Sequence, residues 1–528
     1  MVSATSFQPR VPDTGAPSDH TPFSRAAAAD RFRNGLWQMV LGQAVISLTP
    51  LLLVPLFLRA WGPNTYGRWL SLTALVSYLS LLDLGGQTFI GNLVAMDFAK
   101  GDSEGMRAKL SEGLSLFLAI AMAAFAAILM SAAFLPSLGL LGKRIVLQSN
   151  DWAILLLMSG AVLLGIPGGI YAVAYRSVGL FSRGTAIGTY SRLGGFICGA
   201  TALLFAFGPV VYASLYAACG VVTTVIVVLD ASHRITACRS LRISLTAARA
   251  GLSHLTGSLL FWLMTVANAV NQQGVILVLA ALSGPTAVVT FVTHRMIAGG
   301  LGYVPNIFQG PALPEMTFLF ARKNMEGLAQ LTRVTLKTIV LVSSLLGLLA
   351  WLVVPVVYRT WTSHRVALDM RLLALLLVQA ILASAWTTSA WSLIAANRPK
   401  SLAYWNTGNA FITIVLAVVL VPRYGVYGAA IASLLGDVVC GLLVYPALSR
   451  RLCRCSVSEM FGSAASPLLV VCGIGIPVLM VRRFLGVWQF SLLVALSVTV
   501  VLLLSSLFVY NKGERHWIRL EVLRLCGI

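Results

Sequence analysis

Trp61-Gly-Pro-Asn-Thr-Tyr-Gly-Arg-Trp69 forms a tight polar turn between two long apolar runs. A shorter copy, Ser283-Gly-Pro-Thr-Ala287, follows 222 residues later. The same offset places Phe98-Ala-Lys100 on Phe320-Ala-Arg322 and Glu104-Gly-Met106 on Glu326-Gly-Leu328. Self-similarity at a fixed offset is the sequence signature of an internal repeat. The chain is therefore predicted to contain two copies of one structural unit.

The composition is that of an integral membrane protein. Hydrophobic residues make up 58% of the 528 residues, charged residues make up 10%, and the mean hydropathy is +0.86. Soluble domains carry about 25% charged residues. A hydrocarbon core of about 30 Å needs about 20 apolar residues per helical crossing, so this chain can cross many times. The sequence lacks barrel-like alternation, which leaves helices as the spanning elements.

The formal net charge of +21 is carried mostly by short loops between the apolar runs. That placement is typical of membrane topology, and we expect no nucleic-acid partner. The eight cysteines lack the spacing of a disulfide framework or of a four-ligand zinc site. We therefore expect no metal and no cofactor. Residues 1–34 are polar and lack the apolar core of a signal peptide, which predicts a disordered cytoplasmic tail.

A window of about 20 residues predicts fourteen crossings. They lie near residues 36–59, 67–91, 113–136, 153–175, 187–207, 209–229, 255–282, 286–310, 334–357, 370–394, 402–421, 425–446, 464–481 and 487–510. Lysine and arginine favour the same side in both halves of the chain, which predicts that both termini are cytoplasmic. The opposite-side loops are short, the longest being 137–152, so no extramembrane catalytic domain is expected.

The offset moves crossings one to three onto crossings seven to nine, so equivalent helices run in the same direction. Such parallel repeats are related by an axis along the membrane normal. The predicted fold is an all-α polytopic membrane protein with two six-helix lobes that enclose a cleft. The predicted segments are a tail (1–34), a first lobe (35–230), a cytoplasmic linker (231–254), a second lobe (255–447), two additional helices (448–510) and a cytoplasmic tail (511–528).

Four motifs resemble polysaccharide transporters of the multidrug/oligosaccharidyl-lipid/polysaccharide flippase superfamily in order and spacing. They are Trp61-Gly-Pro-Asn-Thr-Tyr-Gly67 with Leu81-Leu-Asp-Leu-Gly-Gly86, Pro314-Glu315, Asn397-Arg-Pro-Lys400, and Val421-Pro-Arg-Tyr-Gly-Val-Tyr-Gly-Ala-Ala-Ile-Ala432. The resemblance covers roughly residues 33–510 and implies two six-helix bundles in a V shape, as in the MATE transporters of that superfamily.

The resemblance also implies a function. Such transporters move undecaprenyl-diphosphate-linked sugar repeat units across the bacterial inner membrane for O-antigen or exopolysaccharide assembly. The implied partners are this lipid-linked oligosaccharide, membrane lipids, and the polysaccharide polymerase and chain-length machinery. A flippase makes no covalent change, so the protein is predicted not to be an enzyme and to have no catalytic residues.

A flippase must shelter a diphosphate and sugar hydroxyls from hydrocarbon, so charged groups inside the membrane are the first candidates. Arg295, which follows His294, lies roughly 14 Å inside crossing eight at about 1.5 Å per residue. A guanidinium there can donate paired hydrogen bonds to a phosphate. An ion pair with an acid on a neighbouring helix is an equally good interpretation. Arg192 is placed near the cytoplasmic end of crossing five, where snorkelling to the headgroups is the favoured interpretation.

Crossing seven carries four amides in an otherwise apolar helix, namely Asn268, Asn271, Gln272 and Gln273. They lie mostly on one side, where they suit either sugar hydroxyls or interhelical hydrogen bonds. The predicted substrate-binding set is therefore Arg295, His294, Arg192, Asn268, Asn271 and Gln272. The similar transporters often have an acid in this region, so the amides weaken an ion-coupling role for crossing seven.

Asp83 and Asp437 are the acids well inside the predicted crossings. A buried carboxylate can pair with an arginine or take up a proton. Asp83 belongs to the Leu-Asp-Leu-Gly-Gly element, which favours local capping, and Asp437 lies nearer the midplane. Either acid could couple transport to a proton or sodium gradient, and a structural pair is the favoured interpretation for both.

Three alternatives stay open or are weakened by the sequence. A cation-coupled drug or solute exporter of the same fold is disfavoured by fourteen crossings, an arginine-rich cytoplasmic face and an acid-free crossing one. A peptidoglycan-precursor flippase shares the fold and the carrier lipid, so the sequence separates it poorly. A membrane polymerase, ligase or glycosyltransferase would need a large loop or a domain with paired carboxylates, and the predicted loops are short.

Overall fold

The computed structural model describes residues 25–138, 149–178, 180–395, 399–439, 441 and 457–481, with nine further positions between 496 and 514. Most of the predicted fourteenth crossing, the end of the twelfth, most of the 137–152 loop, the Asn397-Arg398 pair and most of both tails lie outside the described residues.

Helices are the regular structure throughout this described part of the chain. They are α1 (Arg25–Ser77), α2 (Gly86–Lys100), α3 (Ser103–Leu138), α4 (Ser149–Ser177), α5 (Phe181–Leu204), α6 (Pro209–Arg234), α7 (Leu245–Leu252), α8 (Leu255–Ala269), α9 (Val275–Ser283), α10 (Pro285–Gly299), α11 (Tyr303–Ala321), α12 (Met325–Trp361), α13 (Met370–Ala395), α14 (Pro399–Tyr424), α15 (Val426–Asp437) and α16 (Val457–Val481). Short 3₁₀ segments lie at Tyr78–Asp83, Thr236–Cys238 and Gly300–Gly302, and a π-helical segment lies at Val270–Gly274. Helices satisfy their backbone hydrogen bonds internally, as a bilayer requires.

Nine helices within the described ranges are long and apolar enough to cross a membrane. One of them, Val45–Phe98, contains a kink at Gly62 and covers the first two predicted crossings. The helix α5 is not counted among the nine, because its arginines and glycines lower its hydropathy. The protein is therefore an all-helical, polytopic membrane protein, and the number fourteen stays a prediction.

The two Gly-Pro turns have the same backbone geometry. Gly62 has φ 72° and ψ 172°, and Gly284 has φ 84° and ψ 176°. This region of φ and ψ is open essentially to glycine alone. In both copies a proline follows, and Pro285 occupies the first turn of α10, where its missing N–H costs no hydrogen bond. The duplication seen in the sequence is thus also a duplication of backbone structure.

A second pair of turns, at Gly101 and Lys323, also has matching backbone geometry in the two copies. Gly101 and Lys323, which are 222 residues apart, both have positive φ, at 75° and 58°. The next residue caps a helix in each copy: Asp102 Oδ1 accepts from the Gly105 N–H at 2.8 Å, and Asn324 Oδ1 accepts from the Gly327 N–H at 2.9 Å. Caps of this kind satisfy backbone donors that the first helical turn leaves unpaired.

The predicted division places α1 to α6 in the first lobe and α8 to α15 in the second, and α1 also packs against α9 and α10 across it. The two lobes meet where the Gly-Pro turns lie, which we call the Gly-Pro end. A Cβ atom on Gly67 would overlap the backbone carbonyl of Pro285. Nearby, Arg59 Nε donates to Ser363 Oγ at 2.9 Å, and Trp361 Nε1 donates to the Leu51 carbonyl at 2.7 Å. The lobes are therefore closed against each other at this end.

The opening motif also builds an aromatic cluster beside this closure. The rings of Phe57 and Tyr66 are stacked with centroids 4.8 Å apart, and Trp61 and Trp69 each meet Tyr212 edge-on. Aromatic pairs of these geometries add to the hydrophobic stabilisation of a core. The polar turn of the sequence is thus anchored by aromatic residues on both sides of Gly62.

One residue near the end of the chain is buried against α12. Lys337 Nζ lies 2.8 Å from Glu514 Oε2, and both side chains are less than one-tenth exposed. Thr338 Oγ1 also lies 2.8 Å from Tyr510 Oη. Glu514 belongs to the segment predicted as a cytoplasmic tail, and its carboxylate supplies the counter-charge that a buried lysine needs.

Candidate functional site

Crossing two is interrupted near its middle. The 3₁₀ segment Tyr78–Asp83 ends at Leu84 and Gly85, which have φ of 50° and 68°, before α2 begins. Two side chains that follow Ser253 in the chain, on α8, donate to carbonyls of this break. Ser258 Oγ donates to the Leu84 carbonyl at 2.7 Å, and Trp262 Nε1 donates to the Leu81 carbonyl at 2.8 Å. A broken helix is tolerated inside a membrane where neighbouring groups complete its hydrogen bonds in this way.

The Asp83 side chain forms a local hydrogen bond at this break. Its Oδ1 accepts a hydrogen bond from the Gly85 N–H at 3.0 Å. The side chain therefore stabilises the glycine turn of the Leu-Asp-Leu-Gly-Gly element, in the position that the sequence favoured for it.

Crossing seven is distorted at the predicted amides. The π-helical segment Val270–Gly274 contains Asn271, Gln272 and Gln273, and Asn268 lies just before it. Single π-helical turns occur frequently at functional sites. Asn268 and Gln272 are exposed, whereas Asn271 Oδ1 is buried without a hydrogen-bond partner among the described residues. Exposed amides at membrane depth would be costly against hydrocarbon, so their face is expected to line a polar space.

Arg295 lies about 15 Å along α10 from Pro285, at about 1.5 Å per residue. Its guanidinium lies over the Phe291 ring, 5.2 Å from the centroid. Within the described ranges it forms no ion pair with an acid. Gly299 and Gly302 follow on the same helical face, and a Cβ added at either would meet no atom within 4 Å. Arg295 is thus a half-buried cation without an acidic partner among the described residues, and the same helical face is open one turn further along, at Gly299.

His294 has a different environment from its neighbour Arg295. It is completely buried, with Nδ1 2.7 Å from the Thr290 carbonyl and 3.2 Å from Tyr358 Oη, while Nε2 accepts from the Asp369 N–H at 3.0 Å. Burial alone would raise the pKa of Asp369, but hydrogen bonds from the Tyr427 hydroxyl and two backbone N–H groups hold this pKa below its ordinary value. In this conformation His294 ties α10 to the loop before α13 rather than facing open space.

Arg192 lies near the middle of α5. The helix α5 begins at Phe181, and Arg183, at its first turn, pairs with Asp230 at 2.7 Å. Arg192 lies roughly 14 Å beyond Arg183 at about 1.5 Å per residue, near the middle of the helix. It lines a cavity of about 400 Å³ inside the first lobe. The residue is exposed, so snorkelling to the headgroups stays an interpretation alongside a role at this cavity.

Asp437 lies at the end of α15 and is buried among polar groups of the second lobe. Gln379 Nε2 donates to its Oδ2 at 2.8 Å, and Asn409 Nδ2 donates to its Oδ1 at 3.1 Å. Thr413 Oγ1 in turn donates to Asn409 Oδ1 at 3.1 Å. No lysine or arginine pairs with this carboxylate in the part of the chain that the structure describes. Amides, rather than an arginine, therefore hold the buried acid.

The predicted binding residues fall into three places. Arg295 is half-buried and Asn268 and Gln272 are exposed in the second lobe, His294 and the Asn271 oxygen are buried within it, and Arg192 lines the cavity of the first lobe. Sequence reasoning missed Ser258 and Trp262, which cap the broken helix. The adjacent glycines Gly85 and Gly86 inside an apolar run were the available signal for that break.

No family model matches the sequence, and no curated protein matches it. Several solved structures are similar to it. A structure of the lipid II flippase MurJ in an inward closed conformation has a TM-score of 0.67 at 14% identity, covering 91% of this chain and 98% of that one.

Two structures of a multidrug resistance MATE family transporter are also similar. The inward-facing one has a TM-score of 0.59 at 13% identity, covering 81% of this chain and 99% of that one. The outward-facing one has a TM-score of 0.52 at 14% identity, covering 82% and 96%. The chain therefore shares the fold of these structures, and the prediction of an all-helical polytopic fold is confirmed.

Proposed function

We propose that this chain is a flippase that moves undecaprenyl-diphosphate-linked oligosaccharide repeat units across the bacterial inner membrane, by alternating access, for O-antigen or exopolysaccharide biosynthesis. Both termini are proposed to be cytoplasmic, and polysaccharide polymerase and chain-length machinery are the proposed partners. The observation that carries the proposal is Arg295, a cation at membrane depth that has no acidic partner among the described residues and lies against the Phe291 ring.

Arg295 supports an anionic substrate. A guanidinium at this depth is costly unless a counter-charge reaches it. A diphosphate supplies that charge, and its oxygens match the fork of guanidinium donors. Asn268 and Gln272, exposed on the adjoining crossing, offer donors and acceptors for sugar hydroxyls. An exporter of cationic solutes would instead gain from acids facing the cleft.

The closed Gly-Pro end supports alternating access. Gly67 against Pro285, together with Arg59 and Ser363, joins the lobes at one end in this conformation. Asp437 is the proposed coupling acid if an ion gradient drives the exchange, because its carboxylate is held by neutral amides, which leaves its charge to be balanced by a proton or a cation. Asp83 is the weaker candidate, because it already caps the glycine turn.

A peptidoglycan-precursor flippase is the second candidate. The similarity to the lipid II flippase MurJ favours it, and a diphosphate on a lipid carrier would use Arg295 in the same way. The two candidates differ in the sugar, which the described residues do not specify.

Deletion of the gene tests the proposal. We expect lipid-linked repeat units to accumulate in the cytoplasmic leaflet and surface polysaccharide to be lost, with both defects reversed by the wild-type gene. Normal surface glycan together with increased drug sensitivity would contradict the proposal and favour a drug exporter. Rescue of cells depleted of their lipid II flippase, with surface glycan unaffected by the deletion, would favour the second candidate.

A further inference from the structure

The first lobe contains a cavity and a groove on either side of one helical seam. The cavity, of about 400 Å³, is open on one side and lined by α1, α4, α5 and α6. The groove, of about 510 Å³, lies between α5 and α6. Both volumes are in the range of small-molecule sites. Every lining residue belongs to the first lobe, so this space is distinct from the face that carries Arg295.

The cavity has apolar walls and one cation. Arg192 is its charged lining residue, and Thr49 and Ser191 are among the few polar ones. Arg192 makes no ion pair or hydrogen bond with another described residue. A guanidinium facing an apolar cavity is stabilised by an anion that enters it, and a phosphate offers the matching oxygens. The site therefore favours an anionic ligand with an apolar remainder.

The seam between the two spaces is made of small side chains. Ser191, Gly195 and Cys219 line both the cavity and the groove, and Gly194 adds a further gap on the groove side. A Cβ on Gly194 or on Gly195 would meet no atom within 4 Å. The helices are held across the seam by a hydrogen bond of 2.5 Å between Ser191 Oγ and Thr223 Oγ1. One narrow chain could pass here without displacing a bulky residue.

The groove faces away from the protein. Three of its larger lining residues, Tyr190, Val222 and Ile226, are 61%, 56% and 48% exposed. On a membrane-spanning helix pair, exposed apolar residues contact lipid chains. The groove therefore connects the surrounding hydrocarbon with the seam, and the seam leads to Arg192.

We propose that this space binds a single-chain polyprenyl phosphate, with the phosphate on Arg192 and the isoprenoid chain leaving through the α5–α6 seam into the membrane. The choice of an isoprenoid chain rests on the proposed function, whereas the phosphate site rests on the cavity. One cation and one narrow groove suit one phosphate and one chain. A diacyl phospholipid would bring two chains and a substituted phosphate.

Binding of undecaprenyl monophosphate to the purified full-length protein in detergent, measured by native mass spectrometry, tests the proposal. We expect undecaprenyl monophosphate to bind at least about tenfold more tightly than undecaprenol, since hydrogen bonds to charged groups contribute about this much. Arg192→Gln should remove that difference, and Arg192→Lys should retain part of it. Equal binding of the alcohol would overturn the phosphate site, and equal binding of phosphatidylglycerol would overturn the single-chain choice. Equal occupancy by inorganic phosphate would show that the chain contributes nothing.

Glycine variants locate the bound lipid. Gly165→Leu fills the cavity and Gly194→Leu fills the groove, and neither added side chain starts with a clash. We expect each to weaken binding of undecaprenyl monophosphate about tenfold or more. Gly188→Leu adds the same side chain to α5 at a position that lines neither space, and it should leave binding unchanged. Size-exclusion profiles matching that of the wild type establish that the variants fold. Unchanged binding in both filled variants would overturn the site.

A variant of the second lobe separates this inference from the proposed function. Gly299→Leu places a side chain in the open space one turn beyond Arg295 on the same helical face and should reduce surface glycan while leaving binding at Arg192 intact. If deletion of the gene leaves surface glycan normal but Arg192-dependent binding persists, the proposed function fails and the lipid site stands. If surface glycan is lost on deletion but binding does not depend on Arg192, the reverse holds.

Discussion

The two lobes share a backbone but place their charges differently. At the 222-residue offset, the residue of the first lobe that matches Arg295 is Thr73. The fifth helix of the first lobe carries Arg192 near its middle, whereas the fifth helix of the second lobe, α14, has its basic residues only near its ends, at Lys400 and Arg423. Duplication thus supplied a symmetric scaffold, and the charges that could recognise a substrate were added to one lobe or the other.

The second helix of each lobe is also broken at matching positions, but the two breaks differ in detail. The 3₁₀ segments Tyr78–Asp83 and Gly300–Gly302 begin at positions that match at the 222-residue offset. The first break contains residues with positive φ and is capped by side chains of α8, whereas the second continues with negative φ. The first break is therefore fixed by tertiary contacts, while the second is surrounded by open space at its glycines.

Among the substitutions that test the difference between the lobes, removal of Arg295 should have the largest effect on export. Arg295→Ala is expected to lower surface glycan at least about tenfold, because hydrogen bonds to a charged group are worth about 1.5 to 3 kcal/mol. Arg295→Lys should restore part of the export, since it keeps the charge without the fork of donors. Export is measured by complementation of the deletion strain, with membrane insertion checked by immunoblot.

A charge-swap variant then tests the asymmetry itself. Arg295→Thr combined with Thr73→Arg moves the cation to the matching position of the first lobe, and we expect no rescue. Arg423→Ala, at an exposed helix end, is the matched control and should leave export near the wild-type level. Full rescue by the swap would show that the lobes are interchangeable at this position.

A substitution that weakens the closure of the lobes at the Gly-Pro end should have the next largest effect. Gly67→Val would place side-chain atoms against the Pro285 carbonyl, which is backbone and cannot rotate away. Overpacking costs about 1 to 3 kcal/mol, so the closed population should fall roughly tenfold. The measurement is cross-linking of Arg59→Cys to Ser363→Cys with a short bifunctional thiol reagent, because the arginine spans the closure with its whole side chain and two cysteines there need a linker. Gly208→Val, where the added Cβ meets no atom within 4 Å, should leave cross-linking unchanged; equal cross-linking in both backgrounds would contradict the packing argument.

The two helix breaks should respond differently to the same substitution. Gly85→Ala places a Cβ on a residue with φ of 68°, which costs about 1 to 2 kcal/mol. Gly302→Ala has ordinary negative φ and free space, so it should be neutral or stabilise by up to about 1 kcal/mol. Thermal unfolding midpoints in detergent should therefore fall for the first variant and stay equal or rise for the second. Equal midpoints would show that the break in crossing two is not held in its left-handed conformation.

The sequence predicted what depends on local chemistry and on periodicity. Apolar runs of helical length predicted the membrane class, and the Gly62-Pro63 and Gly284-Pro285 pairs predicted the duplication, because these turns need glycine wherever the fold places them. The start of α5 at Phe181, six residues before the predicted crossing, and the contact of Arg183 with Asp230 on α6 were not predicted, because a contact between distant helices leaves no local pattern. The different burial of Arg295 and His294 also depends on the neighbouring helices.

The smallest effects concern the repeated caps, where the lobes should behave alike. Asp102→Ala and Asn324→Ala each remove the acceptor for a backbone N–H at the start of a helix, and each should cost about 1 kcal/mol. The aspartate should cost slightly more, because its charge also interacts with the helix dipole, and Asp102→Asn should equalise the two sites. The caps lie in different lobes and share no described partner, so the double variant should show the sum of the single shifts in unfolding midpoint. A strongly non-additive double variant would mean that the two caps are energetically coupled across the lobes, and the symmetric scaffold would then be more than two copies joined side by side.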